Sequence, residues 1–293
     1  MKVFITGVKG FVGQELALQC EKQGMEVIGT DIFDSDEHGY HKMDIASSDN
    51  MADIIPEACG AVIHLAALSR DQDCRNNVVS CFSTNVIGTL RLMEAAQKRE
   101  VANFVFASTE WVYDTFSEGE IKDEDSFIDI GKHKSEYALS KLVSEANLRQ
   151  KYQHGFCNVT ILRFGIIYGP RKSNWSAVES LLHAVNTRNV VEVGSLKTGR
   201  CFIHVADIAK GVVNSIGLTG FHIINLQGDR LIRLGEVIEV SRLITGKEPS
   251  IVETSPNNIS VRNISNKMAR TVLNWAPDYD LEKGLKSLVG TVT

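Results

Sequence analysis

Short apolar runs alternate with longer helical patterns along the first two-thirds of the chain. Five of the runs are rich in β-branched and other apolar residues and predict strands: KVFIT (2–6), MEVIGTD (25–31), AVIHLAA (61–67), ANFVFAS (102–108) and NVTILRFG (158–165). Helical spacing between them predicts helices over about 11–23 and 135–152, and another that contains Leu90, Met93 and Ala96. Strands that alternate with helices predict an α/β fold with one doubly wound parallel sheet.

The pattern changes beyond about Gly165. A loop (YGPRKSNW) and a helix over about 176–187 precede the shorter β segments VVEV, CFIHV and FHIINL. No linker rich in Gly, Ser or Pro separates the two parts, so we expect a smaller C-terminal α/β lobe (166–293) folded back onto a sheet domain (1–165), with later strands returning to the sheet from about 201–226. The cleft between them is the expected site.

The composition indicates a folded protein that acts on a small molecule. Of the 293 residues 43% are hydrophobic and 23% charged, and the net charge of -5 gives no reason to bind nucleic acid or a membrane surface. No apolar run reaches the roughly 18 residues that span a bilayer, and glycines interrupt MKVFITGVKG where a signal peptide would be apolar, so we expect a cytoplasmic protein. The six cysteines lack zinc-ligand spacing, and we expect neither a metal nor a disulfide.

A glycine-rich turn follows the first predicted strand. Gly7, Gly10 and Gly13 form G-x-x-G-x-x-G at the opening of a helix, where backbone N–H groups can approach a pyrophosphate and the helix N-terminus faces the anion. The second strand ends in Asp31, whose carboxylate is suited to ribose hydroxyls and would repel a 2′-phosphate. The sequence therefore predicts a Rossmann-type NAD-binding domain over 1–165, with NAD favoured over NADP, and a mainly substrate-binding lobe after it.

Tyr137 and Lys141 stand one helical turn apart in SEYALSK and should share a face of their helix. The lysine cation, together with the positive nicotinamide ring, is expected to lower the pKa of Tyr137 towards the working pH. The phenolate could then take a proton from a sugar or alcohol hydroxyl while hydride leaves for the cofactor. The alternative is a solvated helix face.

The fourth predicted strand ends in the polar residues Ser108, Thr109 and Glu110, at the carboxyl edge of the sheet where ligands bind in such folds. Ser108 and Thr109 could contact the substrate, and Thr109 could hydrogen-bond the reacting oxygen. Glu110 could be a second acid or base, or it could simply be exposed. Both readings of Glu110 stay open.

Taken in order along the chain, these motifs resemble the extended short-chain dehydrogenase/reductase family of sugar-nucleotide epimerases and dehydratases. The likeness covers nearly the whole chain, and besides the glycine and Y-x-x-x-K motifs it includes HLAA (64–67), TNVIGT (84–89), FASTEWVY (106–113), LRFGIIYGP (162–170), RCFIHVAD (200–207) and LNWAPDYDLEKGL (273–285). The resemblance implies an NAD-dependent enzyme.

For the cofactor site, the resemblance implies that the pyrophosphate lies on the glycine turn and the ribose on Asp31. The residues implied around NAD are Gly7, Gly10, Phe11, Val12, Gly13, Asp31, Asp44, Ile45, Leu65, Ala66, Ala67, Asn85, Tyr137 and Lys141. Among these, Asp44 and Ile45 would flank adenine, and Asn85 would support its helix.

For catalysis and substrate, the resemblance implies that Thr109, Tyr137 and Lys141 form the catalytic set and that Arg200 meets a substrate phosphate. Arg171, in a nearby cationic loop segment, could complete an anion clamp on a nucleotide diphosphate. Solvated loop charges are the alternative. The family also implies a homodimer packed through the helices over about 84–98 and 135–152.

Three positions depart from the family pattern. Ile166 stands where an Asn commonly holds the substrate diphosphate, Trp111 replaces the second carboxylate of the dehydratases, and Cys201 stands where an acid is typical. Epimerisation at C4 through a transient 4-keto sugar requires only hydride removal, rotation and return, so a nucleotide-sugar 4-epimerase needs the fewest assumptions. The alternatives are a dehydratase that uses Glu110, a ketone or aldehyde reductase that uses NAD(P)H, and a non-catalytic NAD-sensing regulator.

Overall fold

A seven-stranded sheet forms the centre of the computed structural model, which describes residues 1–48 and 50–292. The sheet runs in the order β11-β6-β5-β4-β1-β2-β3. Its strands are β1 (Lys2–Thr6), β2 (Glu26–Asp31), β3 (Tyr40–Lys42), β4 (Cys59–His64), β5 (Asn103–Thr109), β6 (Asn158–Phe164) and β11 (Phe221–Leu226). The pairs β1–β2, β1–β4, β2–β3 and β4–β5 are parallel. The strand order reverses between β1 and β4, which is where ligands bind in open α/β sheets.

Short two-stranded ladders accompany the sheet: β7 with β10, β9 with β12, and β8 with β13. These strands are β7 (Ile167–Tyr168), β8 (Val190–Val193), β9 (Gly199–Arg200), β10 (Ile203–His204), β12 (Ile232–Arg233) and β13 (Ser250–Glu253). The helices are α1 (Phe11–Lys22), α2 (Met51–Ile54), α3 (Asp71–Asn76), α4 (Val78–Phe82), α5 (Thr89–Lys98), α6 (Glu136–Gln153), α7 (Ala177–Thr187), α8 (Val205–Ser215), α9 (Leu234–Thr245), α10 (Lys267–Val272) and α11 (Leu281–Ser287). A π-helical turn, Ser83–Gly88, joins α4 to α5, and a 3-10 turn, Glu110–Val112, follows β5.

The chain forms two compact units. The first comprises 1–115, 127–163 and 209–224, and the second comprises 116–126, 164–208 and 225–293. In the first unit, a row of buried side chains crosses four strands in register: Ile28, Phe4, Val62 and Phe104. This row packs with residues of α5 and α6 into one hydrophobic cluster, as expected for a sheet whose strands are apolar on both faces.

The second unit has its own core, in which α7, α9 and α11 pack with β8. It also contains the acidic segment that follows β5 and the 3-10 turn. Lys122 N donates to the Asn263 carbonyl oxygen at 2.9 Å, and Ser265 N donates to the Lys122 carbonyl oxygen at 2.8 Å. Glu124 accepts from Asn225 N at 2.7 Å. Residues 116–126 are therefore anchored to the second unit through Lys122 and Glu124.

Two predicted strands are shorter than expected. AVIHLAA was expected to extend to Ala67, but β4 ends at His64 because Ala66 N donates to the Thr6 side chain at 3.2 Å. CFIHV shortens to β10, which pairs with β7, and α8 begins at Val205. Of the segments expected to return from about 201–226, β11 joins the large sheet. Within the described residues, no helix has the length and apolarity that a bilayer crossing requires.

Candidate active site

The glycine turn lies at the carboxyl end of β1, where the strand order reverses. Gly7 has φ +73°, and a Cβ there would lie 2.8 Å from the Ala66 nitrogen. A Cβ at Gly13 would overlap the carbonyl oxygen of Gly7, so α1 can pack this closely only with glycine at that position. Gly10, the exposed N-cap of α1, donates its N–H to the Gly7 carbonyl oxygen at 3.0 Å. The turn therefore has the close-packed shape of a pyrophosphate cradle, with Phe11 and Val12 half-buried in the first turn of α1.

Asp31 ends β2 beside this turn. Its carboxylate accepts from Lys9 N at 3.0 Å and from Ile32 N at 2.8 Å. Two backbone donors fix both oxygens and leave lone pairs for ribose hydroxyls. The geometry of the glycine turn and Asp31 fits a dinucleotide.

The residues predicted around adenine have different surroundings. Asp44 is exposed, and its carboxylate accepts from Ala46 N at 2.9 Å, which caps a turn. Ile45 is buried in the hydrophobic cluster that packs the sheet of the first unit against α5 and α6. Their contacts with adenine stay a prediction.

His64 forms a buried polar chain beneath the loop of Leu65, Ala66 and Ala67. Its Nδ1 lies 2.7 Å from the Thr6 hydroxyl, and its Nε2 lies 2.9 Å from the Thr89 hydroxyl. Because Thr89 donates to the Asn85 carbonyl oxygen at 2.6 Å, its hydroxyl must accept from Nε2, which therefore carries the proton. Burial, assisted by the charge of Lys141, lowers the pKa of His64 to about 3.

Asn85 lies in the π-helical turn and holds the end of that loop. Its Oδ1 accepts from Leu68 N at 2.8 Å, while its Nδ2 donates to the Leu68 carbonyl oxygen at 3.0 Å and to the Ser140 hydroxyl at 2.9 Å. Ser144 donates to the Asn85 carbonyl oxygen at 2.8 Å. One side chain thus ties the loop after β4 to α6, and π-helical turns are often found at functional sites.

Thr109 and Tyr137 are brought together at the carboxyl end of β5. Burial raises the pKa of Tyr137 well above the usual range, and a smaller, opposing interaction with the Thr109 side chain lowers it. The sequence-based expectation of a pKa lowered towards working pH is therefore not met by the protein's own residues around Tyr137. Tyr137 is half-buried, and the Thr109 oxygen also accepts from Trp111 N at 3.2 Å.

Lys141 lies one turn after Tyr137 on α6 and is only 2% exposed. Its Nζ donates to the Ala107 carbonyl oxygen at 2.8 Å, lies 4.6 Å from the ring centroid of Phe106 and lies 6.0 Å from that of Tyr137. Burial lowers the pKa of Lys141 to about 8, while Cys81, Glu145 and Cys74 act in the opposite direction.

The two residues after Thr109 differ in solvent exposure. Glu110 is 0% exposed, whereas Trp111 is 37% exposed. Glu110 was expected to be either a second acid or base or an exposed side chain, and the structure buries it completely. Ser108 is buried as well, with its hydroxyl bonded to Glu145.

A buried ion pair between β6 and α6 was not predicted from the sequence. Arg163 Nη2 donates to Glu145 Oε2 at 2.7 Å, its Nε donates to Oε1 at 3.1 Å, and its Nη1 donates to the Tyr113 hydroxyl at 2.7 Å. Arg163 is 4% and Glu145 6% exposed. The sequence did contain a signal for Glu145, because this residue lies four positions after Lys141 and so shares a helix face with Tyr137 and Lys141.

Arg171 stabilises its own loop. Its Nε donates to Glu179 Oε1 at 2.7 Å, and its Nη2 donates to the Ile167 carbonyl oxygen at 3.2 Å. Glu179 is buried and also accepts from Gly169 N at 3.2 Å and from Ser176 N at 2.9 Å. These contacts give Arg171 a structural role, and its contact with a substrate stays a prediction.

Arg200 is held at a junction of short strands in the second unit. Its Nη1 donates to the carbonyl oxygens of Gly199 and Ser260, each at 2.7 Å. Arg262, which the sequence analysis did not single out, lies beside it: Arg262 N donates to the Gly199 carbonyl oxygen at 3.1 Å, and its guanidinium carbon lies 5.3 Å from the ring centroid of Phe116. Arg200 and Arg262 each follow one member of the parallel bridge between Gly199 and Val261, so the two residues are neighbours in the fold.

The RCFIHVAD and NWAP segments form one structural unit. The carboxylate of Asp207 accepts from Asp278 N at 2.7 Å and from Tyr279 N at 3.2 Å, and Trp275 Nε1 donates to the Asp207 carbonyl oxygen at 3.0 Å. These motifs of the resemblance therefore hold the second unit together.

The fold and the paired Tyr137 and Lys141 beside a dinucleotide cradle define an NAD-binding enzyme of the Rossmann type. The family model for the NAD dependent epimerase/dehydratase family matches residues 3–225, and the chain belongs to this family. The predicted fold class, the predicted family and the predicted cofactor, NAD, are thereby confirmed.

Known proteins match along nearly the full length. The UDP-glucuronate 4-epimerase of Thermodesulfobacterium geofontis is 25% identical, with 97% of this chain and 94% of that protein covered. The UDP-N-acetyl-alpha-D-glucosaminuronate decarboxylase of Bacillus cytotoxicus is also 25% identical, with 98% and 96% covered. The structure of MoeE5 in complex with UDP-glucuronic acid and NAD has a TM-score of 0.86 at 25% identity, with 98% of this chain and 97% of that one covered.

Proposed function

We propose that the protein is a nucleotide-sugar 4-epimerase that acts through a transient 4-keto sugar. Bound NAD supplies a hydride acceptor that can return the hydride. Thr109 would hydrogen-bond the reacting hydroxyl, and Tyr137 would take its proton and later give it back. Because burial raises the pKa of Tyr137, its deprotonation needs a nearby cation, and Lys141 is the protein's own cation one helical turn away.

The observation that carries this proposal is the contrast between Glu110 and Trp111. Elimination of water needs an acid and a base that reach the sugar. Glu110 is 0% exposed, and the following position, exposed at 37%, holds an indole. A dehydratase that uses Glu110 would have to unbury this carboxylate, whereas 4-epimerisation needs only Thr109, Tyr137 and Lys141.

A uridine diphosphate sugar is the substrate class that we propose. The UDP-glucuronate 4-epimerase and the UDP-N-acetyl-alpha-D-glucosaminuronate decarboxylase named above are UDP-sugar enzymes. Arg200 and Arg262 follow the bridged residues Gly199 and Val261 and supply two guanidinium groups, which suit a diphosphate. Ile166 cannot donate to the diphosphate, so these arginines would carry more of its binding.

Purified protein incubated with UDP-, GDP- and dTDP-sugars tests the proposal. An isomer of unchanged mass, separated by chromatography, is expected from a UDP-sugar. A product lighter by one water would identify a dehydratase, and consumption of added NADH with a ketone would identify a reductase. Binding of NAD without turnover or nucleotide-sugar binding would instead favour a regulator.

A further inference from the structure

Three side chains on one face of α6 contact three consecutive residues of β5. Tyr137, Lys141 and Glu145 are spaced one turn apart. Lys141 donates to the Ala107 carbonyl oxygen, Glu145 accepts from the Ser108 hydroxyl, and Tyr137 interacts with the Thr109 side chain. Helix and strand are thus fastened together at three successive points, two of which are the predicted catalytic groups.

Glu145 is itself fixed from the opposite side. Arg163 on β6 binds both of its oxygens and also donates to the Tyr113 hydroxyl, which follows the turn after Thr109. A two-point contact between a guanidinium and a carboxylate allows little rotation of either group. Arg163 on β6 therefore fixes the Glu145 side chain, and Glu145 links α6 to β5 through Ser108.

Building on the proposed epimerase chemistry, we propose that Glu145, held by Arg163, is a positioning residue that sets the register of α6 on β5 and places a carboxylate one helical turn from Lys141. The catalytic Y-x-x-x-K pair is thereby extended by one turn to Y-x-x-x-K-x-x-x-E. The two effects of Glu145 can be separated. Its bond to Ser108 only positions α6 on β5, whereas its charge also acts on Lys141.

The electrostatic surroundings of Lys141 support this role. The titratable groups that interact with it are Tyr137, His64, Cys74, Cys81 and Glu145. His64 is held neutral by burial at ordinary pH. Glu145 is the carboxylate in this set, and its attraction for the ammonium opposes the effect of burial.

The test is an NMR titration of Lys141 in the NAD-bound protein, with lysine-selective isotope labelling and the signal assigned from its absence in Lys141→Met. Glu145→Gln removes the charge at nearly constant shape and leaves Arg163 uncompensated, so the Lys141 midpoint should fall by about 1 pH unit. Arg163→Met leaves Glu145 uncompensated, so the midpoint should move upwards. Opposite shifts are not expected from a network that is only structural.

Ser108→Ala separates position from charge. It should leave the Lys141 midpoint in place and lower kcat by about 10-fold or more at nearly constant KM, because small displacements of catalytic groups are costly. The matched control is Ser241→Ala, an equally buried hydroxyl that bonds to the Val237 carbonyl oxygen on α9; it should change neither quantity.

An unshifted Lys141 midpoint in Glu145→Gln would overturn the proposal, as would an equal shift in Ser108→Ala. Since loss of one partner from a buried ion pair can unfold a protein, circular dichroism is recorded for every variant, and Glu145→Gln with Ser108→Ala decides the question if Arg163→Met does not fold. The titration needs no turnover. A wild-type protein inactive on every nucleotide sugar would therefore refute the proposed function without affecting this result.

Discussion

At the scale of single residues, Tyr137 is the group whose chemistry depends most on its neighbours. Burial raises the pKa of Tyr137, and the interaction with the Thr109 side chain lowers it by less. The sequence identified Tyr137, Thr109 and Lys141 from their spacing and their position after a strand. It could not give the direction of the pKa shift, because that direction depends on how deeply the phenol is buried, which no local motif encodes.

Tyr137→Phe should lower kcat by about 10²–10⁴-fold, the usual contribution of a positioned acid or base. The ring and its packing are retained, so the fold and the affinity for NAD should be unchanged. Steady-state kinetics and NAD titration by calorimetry measure the two quantities. Turnover at the wild-type rate would remove Tyr137 from the mechanism.

The rate should also depend on the charge of Lys141. Because burial lowers its pKa to about 8, Lys141 keeps its proton below that pH and loses it above. A step that needs the ammonium should therefore be fastest below about pH 8, and kcat/KM should fall by about tenfold per pH unit above it. Lys141→Arg retains the charge throughout this range, so any activity left in this variant should lack the alkaline decline; a decline at the same pH would assign it to another group.

At the scale of elements, the sheet and the helix around Asn85 could be predicted closely, but the π-helical form of the turn that carries Asn85 could not. Apolar runs mark β1, β2, β5, β6 and β11 because buried parallel strands leave a strong composition signal. The π-helical turn Ser83–Gly88 has no such signal, since it differs from an α-helix only in its hydrogen-bond spacing. Arg163 was also missed, because its partners lie on a helix and a turn that are distant in sequence.

Asn85→Ala should weaken NAD binding by about 10-fold and lower the free energy of unfolding by roughly 1–3 kcal/mol, because both backbone groups of Leu68 lose their partner. Isothermal calorimetry and urea unfolding measure these effects. Asn103→Ala is the control. It removes a side-chain bond to the Gly60 carbonyl oxygen at the amino end of β5, away from the carboxyl edge of the sheet, so NAD affinity should be unaffected. Equal losses of affinity in both variants would contradict a specific role for Asn85.

At the scale of the whole molecule, the expected homodimer stays a prediction, and exposed apolar residues of α4 and the π-helical turn offer a way to test it. Val79 is 77% exposed, and Val78 and Ile87 are exposed as well. Exposed apolar side chains that form a contiguous patch are typical of a protein interface. Sedimentation equilibrium should give the mass of a dimer, and Val79→Lys should shift it towards the monomer. A wild-type monomer at micromolar concentration would refute this expectation.

Sequence patterns also could not reveal which unit residues 116–126 join. Their charges indicate an exposed acidic loop, yet the segment is anchored through backbone bonds of Lys122 to Asn263 and Ser265. Backbone groups are the same in every residue, so these bonds leave no trace in the sequence. The predicted boundary near 165 stays a prediction, and it lies next to the end of β6 at Phe164.

The interleaving of the two units has a consequence for how such a protein can change over evolutionary time. The first unit needs residues 209–224, and the second needs 116–126. A fragment that stops at 165 would lack β11 and expose β6 as an unpaired sheet edge, which invites aggregation. A different second unit therefore cannot be acquired by a single recombination crossover. Substrate range in this lineage should instead diversify by point substitution and by short insertions in loops.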